Sequence, residues 1–125
     1  MERYDPLELP EPNLWRTLDE DDKLTLVLEH HREAGIDLPN ETVHASIHVV
    51  VENQIAIPEA PVVEALSRLT RQGLDRHEAV HAIGAVLAVH LNELLRSESD
   101  TAEDHRRYFR RLGKLTAKRW EAGKW

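Results

Sequence analysis

The chain has 125 residues, no cysteine and a formal net charge of −7, which suits one compact module with its own core and excludes both disulfides and thiolate metal ligation. Any zinc or iron would have to be held by imidazole, carboxylate and water. The opening Met1-Glu2-Arg3-Tyr4-Asp5-Pro6 lacks the basic-then-apolar layout of a signal peptide, and no apolar run approaches the ~20 residues of a membrane span, so a cytoplasmic protein with no membrane partner is expected.

Pro6, Pro10 and Pro12 sit among acids in residues 1–14 and predict an extended N-terminal arm there, anchored by Trp15, with a single helical domain over 15–125. Asp19-Glu20-Asp21-Asp22 opens the first helix with negative charge at its positive end. Leu24, Val27, Leu28 and His31 then recur at helical spacing until Gly35 stops it. The second helix starts at Asn40 as N-cap after Pro39. Its β-branched run Ile47-His48-Val49-Val50-Val51 has a strand's composition, but Val43/Ile47/Val50/Gln54 and His44/His48/Val51/Ile55 form adjacent stripes that favour a helix.

Pro58 and Pro61 punctuate the next connection, and Val62, Val63, Leu66 and Leu69 carry a third helix to Gly73. The fourth begins at Asp75-Arg76-His77-Glu78, where Asp75 is placed as N-cap and Glu78 at the third helical position. Its apolar residues Val80, Ile83, Val86, Leu87, Leu91, Leu94 and Leu95 make it the centre of the expected core. Asp100-Thr101-Ala102-Glu103 repeats the capping pattern and opens a last helix bearing Tyr108, Leu112, Leu115 and Trp120. The fold class predicted is all-α, a bundle of about five helices. Residues 103–125 hold eight Lys or Arg and three acids, which leaves the first 102 residues at about −12. With no reader motif, that basic helix is expected to pair with acids of the same chain, and nucleic acid is not expected as a partner.

Chemistry concentrates in two histidine pairs, His44/His48 and His77/His81, whose four-residue spacing puts both imidazoles of a pair on one helical face. Short connections make the second and fourth helices run in the same direction, and counting from Asn40 and Asp75 gives the pairs an axial offset of only ~3 Å. A site of His44, His48, His77 and His81 for zinc or iron is therefore predicted. Gly84 and Ala88 continue the face of the fourth helix and would allow close approach, while Glu52 and Gln54 offer further polar contacts.

Two narrower readings use the same residues. His77-Glu78-Ala79-Val80-His81 has the pattern with which zinc hydrolases hold a metal and aim a glutamate base, Glu78 here. Against that, Glu78 falls in the first turn, where capping explains it, and the third histidine of the extended motif is replaced by Leu87, with His90, Glu93 and Glu98 as poorly spaced substitutes. Glu41-Thr42-Val43-His44 and Glu78-Ala79-Val80-His81 form a Glu-x-x-His pair as in two-iron bundles, for which Glu29, Glu93 and Glu103 are candidate additional ligands. Ser46, between His44 and His48, is expected to bond a backbone carbonyl rather than act as a nucleophile.

The segments His44-Ala45-Ser46-Ile47-His48-Val49-Val50-Val51-Glu52-Asn53-Gln54 and Gly73-Leu74-Asp75-Arg76-His77-Glu78-Ala79-Val80-His81-Ala82-Ile83-Gly84 resemble an uncharacterised bacterial family of small helical proteins, over about residues 40–95. The resemblance implies a helical fold and a bacterial source, and no activity or substrate. The functional expectation is a small helical protein with a histidine-lined metal site. The alternative is a metal-free interaction module that self-associates through its apolar helix faces and Trp120/Trp125.

Overall fold

The computed structural model describes residue 1, residues 3–33, 40–96 and 101–125, and of 101–102 the backbone alone. Among these residues there are seven helices and no strand: α1 (Pro12–Thr17), α2 (Glu20–Glu33), α3 (Glu41–Ala56), α4 (Ala60–Arg71), α5 (Arg76–Leu94), α6 (Thr101–Lys114) and α7 (Ala117–Glu121). The all-α expectation holds, and residues 47–51 are helical despite their β-branched composition. Gly35, Pro39, Glu98 and Asp100 lie outside the described residues. No described helix is long and apolar enough to cross a membrane. Contacts divide the chain into two compact units, Met1–Glu59 and Ala60–Trp125.

The pattern of five helices is corrected at both ends. The segment expected as an extended arm to residue 14 instead turns at Asp5–Glu8, where Glu8 N–H donates to Asp5 O, and gives way to α1 at Pro12, which occupies the first turn, where its fixed φ is already helical and its missing N–H costs nothing. Glu11 caps that turn by accepting from the Leu14 N–H at 2.7 Å. Near the other terminus the single basic helix breaks at Leu115-Thr116 into α6 and α7, and Thr116 caps α7 by accepting from the Arg119 N–H. The break is held from α4: the Arg68 guanidinium donates to the carbonyls of Leu112 and Leu115, and Gln72 accepts from the Ala117 N–H at 2.8 Å. These partners supply what a continued helix would have supplied to the freed backbone groups.

In the first unit α2 and α3 are antiparallel. Lys23, early in α2, meets Asn53, late in α3, at 3.0 Å, and Arg32 at the end of α2 meets Glu41 at the start of α3 at 2.8 Å. Leu26, Val27, Ala45 and Val49 form the apolar core between these ends, joined by Trp15 from α1 and Tyr4 from the arm. Asn53 ties three elements together. Its Oδ1 accepts from the Trp15 indole N–H and from the Lys23 ammonium, each at 3.0 Å, and its Nδ2 donates to Glu20. Both partners of Oδ1 only donate, so the amide orientation is forced. Lys23 is 5% exposed, pairs with Glu20 at 3.0 Å and lies 5.5 Å over the Trp15 ring.

In the second unit α4, α5 and α6 pack on one another. The α4–α5 turn closes as predicted on Gly73, whose φ of 107° is open to glycine at little cost; Leu74 N–H donates to Leu69 O and Gly73 N–H to Thr70 O, the paired bonds of a left-handed helix stop. Asp75 then caps α5 by accepting from the Glu78 N–H at 2.8 Å. Ile83, Leu69 and Leu112 are fully buried in this unit, together with Tyr108 at 1% exposure.

Because Asn53 is the common acceptor for a buried cation and a buried indole, Asn53→Ala is expected to cost about 2–4 kcal/mol in urea denaturation of the full chain. Lys23→Met, which removes the ion and leaves the Trp15 bond intact, is expected to cost less than Asn53→Ala.

Candidate metal centre

His44 and His48 lie one turn apart on α3, and their Nε2 atoms are 3.1 Å from each other. The third member is His31, from the last turn of α2, which the antiparallel pairing sets against the start of α3. Its ring stands edge-on to His44 and His48, with centroids at 4.8 and 5.0 Å, and one nitrogen from each of the three rings lies within 4.8 Å of the others. His31 and His48 are buried and His44 is half-buried.

Hydrogen bonds settle which nitrogen of each buried ring carries the proton. His31 Nδ1 is 2.8 Å from the carbonyl of Val27, one turn earlier on α2. A carbonyl only accepts, so Nδ1 bears the hydrogen and the lone pair of the neutral ring resides on Nε2. His48 Nδ1 lies 3.2 Å from the Tyr4 hydroxyl, and that hydroxyl donates to Glu52 Oε2 at 2.6 Å. With the phenol proton engaged by the carboxylate, the phenol oxygen accepts from His48 Nδ1–H, and the His48 lone pair is on Nε2 as well. The order His48, Tyr4, Glu52 is thus a buried relay ending on a carboxylate that is 1% exposed. Partners of this kind orient metal-ligating histidines and raise their basicity.

The four-residue spacing of His44 and His48 does put both rings on one face of α3. In the sequence His31 is one more position of the apolar stripe of its helix, and Tyr4 lies in the segment expected to be extended. His31 follows Lys23 and Val27 at four-residue steps, so the face was readable; Tyr4 carries no local signal of its position. His77 and His81 belong to the second unit, in the first turns of α5, with ring centroids 4.2 Å apart and both rings half-buried. Ser46 donates to the Thr42 carbonyl at 2.8 Å, as expected.

The carboxylates considered as metal ligands or base mostly have other partners. Glu78 Oε1 accepts from the Trp120 indole N–H at 2.7 Å, Glu41 pairs with Arg32, Glu93 with Arg111, and Glu103 with Arg106 and Arg110. The guanidinium beside each of Glu41, Glu93 and Glu103 holds its carboxyl below the ordinary range. His90 is buried in the second unit and stacked on Tyr108 at 5.2 Å. Burial pushes its imidazole below the usual value, while the Asp104 carboxylate pulls the other way; Arg111 and His105 also lower it and Glu93 raises it.

No protein-family model, curated protein or solved structure matches the chain. The functional reading therefore rests on the chemistry of these side chains.

His90 generates a pH prediction. Its folded value is depressed, so as pH falls below about 6.5 the unfolded chain takes up the proton first, and stability is lost as pH descends through the folded value. Urea midpoints measured between pH 7.5 and 5 are expected to fall less steeply in His90→Gln than in the parent chain. Equal slopes would show that His90 titrates alike in both states.

Proposed function

We propose that the first unit binds a divalent transition-metal ion through His31, His44 and His48. The observation that supports this reading is the assignment of hydrogens: Val27 O and the Tyr4–Glu52 relay hold two buried imidazoles in the tautomer whose lone pairs are on Nε2, and those rings cluster with His44. Two nitrogens each about 2.1 Å from one ion at tetrahedral or octahedral angles are roughly 3.0–3.4 Å apart, and the 3.1 Å between His44 and His48 Nε2 falls in that range. A set of three neutral imidazoles without thiolate suits zinc, with iron(II) the next candidate.

The hydrolase reading of His77-Glu78-x-x-His81 has less support. It requires a glutamate directed at metal-bound water, and the Glu78 carboxylate is held by Trp120 instead.

Full-length protein made without a histidine tag and stripped with chelator should take up one equivalent of zinc, raising its melting temperature. Cobalt(II) in the same site should give visible absorption bands. His31→Ala and His48→Ala are each expected to weaken binding a hundredfold or more, and Tyr4→Phe, which leaves all three ligands in place, about tenfold or more. A parent chain that neither binds zinc nor gains stability from it would reject the proposal and leave the three rings as a hydrogen-bonded core cluster.

A further inference from the structure

A second site lies wholly within Ala60–Trp125. A cleft of about 280 Å³ opens between α5, α6 and the C-terminal turn, near the lower bound of small-molecule sites. Val86 and Val89 from α5, with Leu115 and Trp125, supply its apolar lining. The charged side chains that line it are all cationic: Arg111, Lys114 and Arg119. The C-terminal turn is built to place Trp125 there. Gly123 takes a φ of 71°, Lys124 N–H donates to Arg119 O, and Arg119 Nε donates back to Lys124 O at 3.0 Å. The Trp120 and Trp125 rings then pack at 5.5 Å.

Three cations of the basic C-terminal stretch share this one apolar lining. Glu93 neutralises one of them through Arg111 Nη2 at 2.8 Å, while Arg111 Nη1 is buried with no hydrogen-bond partner among the described residues. Lys114 is exposed and has no ion pair among the described residues. Cations that line an apolar cleft and are only partly neutralised are the arrangement that a carboxylate or phosphate completes with charge-assisted hydrogen bonds. We propose that this cleft binds a small organic anion, an acidic head group on an acyl or aryl body, with the head between Arg111 and Lys114 and the body against Val86, Val89, Leu115 and Trp125.

Calorimetric titration of the full chain with sodium octanoate tests this, with chelator present so that the carboxylate has no metal to ligate. One octanoate per chain is expected, with octylammonium and octan-1-ol at least tenfold weaker. The Arg111→Gln/Lys114→Gln double variant should lose tenfold or more of the octanoate affinity with its circular dichroism unchanged. Lys114→Gln alone, at an exposed position that leaves the Glu93 pair intact, should lose about threefold. Octyl phosphate binding as tightly as octanoate would support the anion reading and widen the head group. Octylammonium or octanol binding as well as octanoate would overturn it, as would full affinity in Lys114→Gln.

Discussion

A neutral imidazole offers one N–H and one lone pair, and whatever takes the N–H decides where the lone pair is offered. In the first unit that choice is made twice from outside the cluster. The Val27 carbonyl, already on the His31 face of α2, takes the His31 proton; the Tyr4 oxygen takes that of His48 because Glu52 has taken Tyr4's own. The second case depends on the arm. Tyr4 reaches α3 only because residues before α1 fold down onto the hairpin, and its ring contributes to the same core as Trp15. Packing of Tyr4 and protonation state of a histidine are therefore one event: displacing Tyr4 would expose core surface and release the tautomer together.

The hairpin that carries the cluster is fastened at its opposite end by a different kind of contact. Lys23 is eight residues, about 12 Å, from His31 along α2, and its ammonium is enclosed by Glu20, Asn53 and the Trp15 face. A buried charge is stabilising only if every direction in which it donates is met, and it penalises any register in which it is not. A one-residue slip of α3 on α2 would remove Asn53 from Lys23 and would also carry His44 and His48 off His31. The ionic contact thus holds the register on which the imidazole cluster relies.

What local chemistry dictates was readable from the sequence. Asn40, Asp75 and Gly73 each do the capping or stopping their side chains predict, and the four-residue spacing of His44/His48 placed both rings on one face. Contacts between distant segments were not readable. His31 looked like part of an apolar stripe because it is one, and its role emerges only when α3 folds back on α2. The α6–α7 break was missed because its cause is not local: Arg68 and Gln72, more than forty residues earlier, hold the backbone groups the break exposes. Pro12 is a different case, since a proline that ends a helix from within can begin one from its first turn.

The basic C-terminal stretch is largely paired within its own unit. Arg106 and Arg110 pair with Glu103, Arg107 with Asp104, and Arg111 with Glu93, so four cations of α6 have carboxylates in their own unit. Exposed pairs of this kind add little stability. Their effect is to remove charge from the face that a polyanion would need, since binding along a phosphate backbone requires several cations free to displace counterions. Of the four cations outside these pairs, Lys114 and Arg119 line one small apolar cleft beside the paired Arg111, while Lys118 and Lys124 are exposed and lie outside that lining.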